Sequence, residues 1–206
     1  MRTVMMGALC AIAMVANANA YLRHLSLGAL GAIHICRNNR LVEASKQSKG
    51  ESTMTPKPTH EQAQLHLQIY EERREPRLRQ ARDWFFANCF ADTIDEAMRI
   101  APPGTEAGTN FMMVIGYWDQ ACALLNYGLL HDDLFFETSG EFFGVWERIK
   151  PTIQEGRKRF SNKLFAAHIE KAANRFEAWA ENHSPGLIAS MRQMDQQMRS
   201  QTKKAA

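Results

Sequence analysis

The chain has 206 residues, of which 45% are hydrophobic and 23% charged, a globular composition that excludes a largely disordered protein. The formal net charge is +3, but residues 1–53 hold six basic and two acidic residues, which leaves 19 basic and 20 acidic residues in 54–206. A body with a net charge of −1 has no general attraction for nucleic acid or anionic lipid, so neither is expected as its partner.

Residues 1–53 differ in composition from the rest and are predicted to be a leader followed by a polar linker. Arg2, the apolar run 4–16 and the small residues 18–20 have the layout of a secretory signal, and the run is too short to span a bilayer. Cleavage after Ala20 would make the protein exported or envelope-associated. The alternative is that Met54 is the true start of a cytoplasmic protein. The cytoplasmic interpretation is favoured, because export would leave an odd number of cysteines in an oxidising compartment.

Residues 54–200 are predicted to form one all-α domain, a single bundle-like array of six or seven amphipathic helices joined by short loops. Good helix formers are plentiful, and no segment alternates apolar and polar residues as a half-buried strand would. The large apolar faces of most helices indicate that helix packs on helix. Residues 201–206 are predicted to be a frayed tail.

Caps and breakers mark the first helices of this domain. Thr59 can cap a helix over residues 60–75, and Pro76 is suited to the first position of the next. Thr93 begins a capping box that starts a short third helix. The breaker-rich segment 101–109 is then predicted to be a loop.

The second half of the domain carries the strongest apolar stripes. Gly128 is predicted to end a helix whose core stripe consists of Phe111, Ile115, Trp118, Cys122 and Leu125. Pro151 marks a kink or a new first turn, and Ser161 is expected to cap the longest amphipathic stretch. Ser184 and Pro185 together predict the start of the last helix.

The segment 124–137, LLNYGLLHDDLFFE, places acids and a histidine between apolar runs. The favoured interpretation is a capped turn, in which His131 or Asp132 accepts hydrogen bonds from the following backbone. The alternative is a metal-dependent or small-ligand-binding enzyme with a cluster at residues 131–137. Its candidate residues are Asp119, His131, Asp132, Asp133 and Glu137.

Other catalytic patterns are absent from the sequence. It has no calcium loop, no Glu-x-x-His, no HExxH, no GxSxG and no glycine-rich phosphate loop. Cys122 lies in an apolar stripe and is interpreted as an inert core residue, and the wide spacing of the four cysteines predicts no disulfide framework. The basic cluster 157–159 is interpreted as a solvated helix end. No catalytic residue, metal or cofactor is therefore expected.

The last predicted helix carries a thin methionine stripe, formed by Met191, Met194 and Met198. A methionine-rich face on a terminal helix can dock on a partner or on a second copy, although it can also pack on its own bundle. The sequence therefore favours a non-enzymatic helical protein that acts through an unknown protein partner or through homo-oligomerisation.

Residues 110–157 resemble an uncharacterised all-helical bacterial family, a domain of unknown function. The resemblance is carried by six matching features: Tyr117-Trp118-Asp119, Gly128-Leu129, Asp132, Trp146, Pro151 and Arg157. Because these are packing motifs and the family has no assigned chemistry, the resemblance implies a bacterial origin and an all-α fold. It implies no activity.

Overall fold

A computed structural model describes residues 57–205 of the chain, and within that range the fold is all-α, with eight helices and no strand. The helices are α1 (His60–Arg73), α2 (Pro76–Asn88), α3 (Ile94–Ile100), α4 (Glu106–Asn126), α5 (Asp132–Thr138), α6 (Glu141–Arg159), α7 (Ala167–His183) and α8 (Leu187–Ala205). The predicted all-α bundle is confirmed. The predicted leader and both interpretations of it lie outside the described residues.

Local sequence signals start and stop several of these helices as predicted. Thr59 and Gln62 form a reciprocal capping box at the start of α1, and the Thr93 side chain accepts the Glu96 N–H at 3.2 Å. Gly128 follows the end of α4 with a φ of +75°, a left-handed conformation that glycine adopts without strain. Short-range chemistry is therefore sufficient to set these boundaries.

Two predicted features of the second half are different in the structure. Pro151 does not begin a new helix but lies inside α6, between Ile149 and Ile153, which are both buried in the core. Ser161 does not cap the next helix. It has a φ of +52° in the turn after α6, and α7 begins only at Ala167, after a turn in which Ala166 is also left-handed.

The core is centred on α4, which packs between α2 and α7, and on α6, which packs against α3 and α7. In the predicted stripe of α4, Ile115, Trp118, Cys122 and Leu125 are buried and Phe111 is partly buried. Phe142 of α6 joins this stripe to the aromatic rings of α5 and α7. The count exceeds six or seven because α5, predicted as a turn, is a two-turn helix.

The last helix lies at the edge of this core, where α8 contacts α6 and α7. It continues through Ala205, and thus through most of the segment predicted to be a tail. Within the described part of the chain, no helix is both long enough and apolar enough to cross a membrane.

Candidate functional site

The residues of the predicted acidic turn hold α5 against its neighbours. His131 is the N-cap of α5, and its Nδ1 accepts the Leu134 N–H at 3.4 Å. Asp132 forms an ion pair with Arg175 of α7, and Asp133 accepts the indole N–H of Trp179 at 2.8 Å. These contacts attach the short helix α5, which has few backbone hydrogen bonds of its own, to the long helix α7.

The remaining candidates of that cluster lie in other surroundings. Glu137 is exposed on α5, and Asp119 lies on α4, where it meets the start of α7. Among the residues whose side chains the structure describes, no three or more His, Cys, Asp or Glu side chains stand together in a metal-binding group. The predicted candidates are therefore distributed over separate helix contacts.

Asp119 acts as the cap of a helix that has no cap of its own. Its Oδ1 accepts the backbone N–H groups of His168 and Ile169 at 3.0 and 3.1 Å. Ala166, the N-cap residue of α7 by position, has no side-chain acceptor. Burial raises the pKa of Asp119, and this effect exceeds the opposing influence of the two backbone hydrogen bonds.

Arg157 fixes the turn between α6 and α7, so it is not part of a solvated helix end as the sequence suggested. Its Nε donates to the carbonyl of Phe165 at 2.9 Å, and its Nη1 donates to Glu170 at 2.7 Å. Arg159 does lie at the surface, where it pairs with Asp95 at 2.5 Å. The difference arises because Phe165 in the turn and Glu170 of α7 lie beside Arg157.

The cysteines of the described domain are unsuited to nucleophilic chemistry. Cys122 is fully buried and Cys89 nearly so, and neither forms a disulfide. Burial raises the pKa of the Cys89 thiol to about 12 and that of Cys122 well above its usual range. Both thiols are therefore protonated at neutral pH, and a protonated thiol is a poor nucleophile.

A half-buried ionic network around Glu141, which was not predicted, joins four helices. Arg82 of α2 pairs with both carboxylate oxygens, with its Nε at 2.6 Å from Oε1, and Arg73 of α1 donates to Oε2 at 2.5 Å. The indole N–H of Trp118 adds a fourth donor at 3.2 Å. The Glu141 carboxylate, at the first position of α6, thus connects this helix to α1, α2 and α4.

The charge on Glu141 is maintained against its own burial. Burial alone would raise the pKa of Glu141, but the hydrogen bond from Arg82 and the charges of Arg73 and Arg82 outweigh it. The net effect is a pKa below the usual value for glutamate. Glu141 is therefore ionised at neutral pH and binds the two guanidinium groups as an anion.

The predicted partner-contact methionines lie on α8, and the structure divides them into two environments. Met191 packs against the hydrophobic core. Met194 is 60% exposed and Met198 is 37% exposed. The stripe therefore begins in the core and continues beyond it onto the surface.

Ionic contacts on an adjacent face of α8 attach it to the bundle, and we call the three charged residues of this face, Arg192, Asp195 and Arg199, the ionic seam. Arg192 donates to both oxygens of Glu147 at 3.0 Å and to Glu177 at 2.6 Å. Arg199 pairs with Asp92 in the loop before α3. Among the α8 residues whose side chains are described, Ile188 is the most buried, with 9% of its surface exposed. Charge pairs therefore hold α8 on the bundle together with the apolar contacts of Leu187, Ile188 and Met191.

Arg148 of α6 lies at the centre of the surface that α8 covers. It is 2% exposed, and its Nε donates to Asp195 of α8 at 2.5 Å. Its Nη1 donates to the carbonyl of Phe86 at 2.9 Å, and the guanidinium lies 3.8 Å from the ring centroid of Phe90. Burial lowers the pKa of Arg148, whereas the hydrogen bond that Arg148 donates to Asp195 opposes the shift. Asp195 thus compensates a buried charge.

The sequence analysis identified the methionines but not the ionic seam or Arg148. The available signal was a second repeat on the last helix, because residues 188, 192, 195 and 199 follow the same steps of 4, 3 and 4 as residues 187, 191, 194 and 198. Arg148 carried no such signal. It lies within a stretch of buried apolar residues, where an arginine side chain could equally have reached solvent.

Comparison with known proteins gives one match. A family model described as a domain of unknown function, DUF4760, matches residues 58–176, more than half of the chain. The matched segment runs from the residue before Thr59 to the middle of α7, so α8 lies beyond it. No curated protein and no solved structure matches the chain.

Proposed function

The chain belongs to the DUF4760 family, whose function is unknown, and we propose that it acts by self-association through α8. The observation that carries the proposal is the apolar seam of α8, made up of Leu187, Met191, Met194 and Met198. This seam leaves the core halfway along its length, so that its first two residues are packed and its last two are exposed.

The spacing of the apolar seam supports a helix–helix contact. Its steps of 4, 3 and 4 residues are the repeat that keeps one face of a helix against a partner helix. Unbranched methionine side chains fill such contacts adaptably. Single exposed apolar residues are ordinary on protein surfaces, but here two of them continue a buried stripe in register.

Symmetry makes a second copy the simplest partner. Two copies related by a twofold axis present the same patch to each other, so Met194 and Met198 would pack against their own counterparts. Met194 and Met198 are exposed on the face of α8 beside its ion pairs, which leaves this part of the apolar seam accessible to such a neighbour. The proposed assembly is therefore a dimer with paired α8 helices.

The test is the solution mass of the double variant Met194→Glu/Met198→Glu. We expect the wild-type chain to give a dimer in size-exclusion chromatography with light scattering and the variant to give a monomer, because charges at the seam centre repel across the axis. The helix content of the variant, measured by circular dichroism, should change little, since both side chains are already partly exposed.

The control is Leu67→Glu, which places one glutamate on an apolar position of α1 that is as exposed as Met194. It should leave the dimer intact. A wild-type chain that is monomeric at tens of micromolar, or a double variant that dimerises as well as the control, would show that self-association through the apolar seam of α8 is wrong.

A further inference from the structure

The surface of the bundle on which α8 packs, its seat, is complementary to a specific order of charges along the helix. We define the seat as the bundle residues that pair with the ionic seam: Asp92, Glu147, Arg148 and Glu177. The seam offers a basic residue at 192, an acidic one at 195 and a basic one at 199, and each pairs with opposite charge in the seat. Because these positions share one helix face, a helix fits the seat only in one register.

The seat also has to be occupied by a carboxylate. Arg148 is buried among Phe86, Phe90 and Cys89, and Asp195 is the carboxylate that pairs with it within the described chain. Removing one member of a buried ion pair leaves a charge with no compensation, which strongly destabilises a fold. A departing α8 would therefore need to be replaced by another helix with an acid at the same place.

The connection between α7 and α8 is short and exposed. It consists of Ser184, Pro185 and Gly186, all exposed, and Gly186 has a φ of +88°. Proline removes a backbone hydrogen-bond donor here, and glycine accepts many backbone conformations. A change at these three residues redirects α8 without altering either helix, so the connection can serve as a hinge.

We infer that α8 is exchanged between two copies of the chain, so that the α8 of each copy occupies the seat of the other. A second copy is the one partner certain to carry the same charges in the same register, including Asp195. Exchange keeps every ion pair of the seat and simultaneously brings the two apolar seams together. This inference rests on the proposed self-association and adds the route by which it occurs.

The test uses two full-length variants with opposite charge reversals. The seat variant carries Asp92→Lys, Glu147→Lys and Glu177→Lys, and the helix variant carries Arg192→Glu and Arg199→Glu. In either variant alone, charges of the same sign face each other between α8 and the seat of the same chain, which is unfavourable. Exchange between the two variants pairs opposite charges at both seats.

After co-expression, we expect native mass spectrometry to show the mixed dimer at least tenfold above either homodimer. We also expect the mixed dimer to melt at a higher temperature than either variant alone. A control chain that carries all five substitutions should recover the wild-type melting temperature, because its reversed charges match within one chain. Co-expressed variants that keep their separate masses and melting temperatures would overturn the exchange.

A second variant keeps the inference testable if charge reversal disturbs folding. Deleting Pro185 and Gly186 makes the connection too short for α8 to reach its own seat, so exchange predicts a dimer that persists on dilution to nanomolar concentration. A monomer, or an aggregate, from this deletion would overturn the exchange.

The two proposals fail in different ways. One combination of results is a wild-type dimer that the Met194→Glu/Met198→Glu substitutions dissociate, while the charge-reversed variants form no mixed dimer. That combination supports self-association and overturns exchange. A monomeric wild type together with separate reversed variants overturns both.

Discussion

The Nε of Arg148 on α6 lies 2.5 Å from the Oδ1 of Asp195 on α8, although the two residues are 47 positions apart in the sequence. The arginine side chain is fully buried, whereas the aspartate side chain is 19% exposed. The pair therefore joins the core to a helix at its edge. Since the buried member cannot be rehydrated while α8 is in place, the aspartate controls whether the edge helix stays bound.

Replacing Asp195 by alanine should destabilise the domain by about 3 kcal/mol, because the Arg148 charge is left buried without its carboxylate. Urea unfolding followed by circular dichroism measures the change. The control is Glu71→Ala, which removes the surface partner of Arg74 at 3.4 Å and should cost less than about 0.5 kcal/mol. Equal losses in the two variants would show that Arg148 does not depend on Asp195.

Replacing Glu141 by glutamine should destabilise the domain by about 3 kcal/mol at neutral pH, because Arg73 and Arg82 lose their shared anion. The folded-state pKa of Glu141 is lowered, so this stability is present above the unfolded pKa of about 4.3 and is lost as pH falls through the folded value. The difference between wild type and variant should therefore shrink towards pH 3.

The measurement is the free energy of unfolding of both chains between pH 7 and pH 3. Glu106→Gln serves as the control, since Glu106 makes a 3.5 Å pair with Arg77 at the surface. It should lie close to wild type across the whole range. A constant gap between wild type and Glu141→Gln at all pH values would contradict the assigned ionisation of Glu141.

Asp119 offers a comparison between charge and hydrogen bonding at the start of α7. Asp119→Ala removes the acceptor of two backbone N–H groups and should cost about 1–2 kcal/mol. Asp119→Asn keeps an acceptor oxygen and no longer buries a charge, and burial is the cause of the raised pKa. Thermal unfolding at pH 7 should place the asparagine variant near wild type and well above the alanine variant. The reverse order would show that the charge itself is required.

Two glycines of α4 should respond in opposite directions to alanine. A Cβ at Gly108 would lie 2.3 Å from the carbonyl oxygen of Pro102, so Gly108→Ala must displace backbone and should cost about 1–3 kcal/mol. A Cβ at Gly116 meets no atom within 4 Å among those described, and alanine is the better helix former, so Gly116→Ala should stabilise by about 0.5–1 kcal/mol. Differential scanning calorimetry of both variants checks the pair, and a stabilising Gly108→Ala would refute the close approach.

Much of the fold could be predicted because the signals are local. The stripe of Ile115, Trp118, Cys122 and Leu125 is set by helical periodicity, and the cap at Thr59 depends on residues within one turn. The predictions that were wrong concern positions where a tertiary contact takes the place of the expected local contact. Ser161 looked like the cap of α7, but the acceptor that α7 uses comes from Asp119, 49 residues away from His168.

The candidate site was predicted only in part. The methionine stripe could be found because its members share one helix and one spacing, but the partners of the charged residues could not. With 25 basic and 22 acidic residues, the chain allows hundreds of possible ion pairs, and nothing local selects among them. The acidic turn attracted attention because its acids are adjacent in sequence, whereas in space they fasten α5 to α7.

By itself, the sequence determined that this protein is an all-α bundle and that its last helix carries an apolar stripe, since both follow from periodicity within single helices. Only the tertiary structure decided which charged side chains are buried and which acidic residue pairs with each buried basic residue. Arg148 and Asp195, or Arg73 and Glu141, are brought together by the packing of whole helices, and that packing depends on the combined shape of the core. The position of α8, and with it the exposed half of its apolar seam, follows from those pairings.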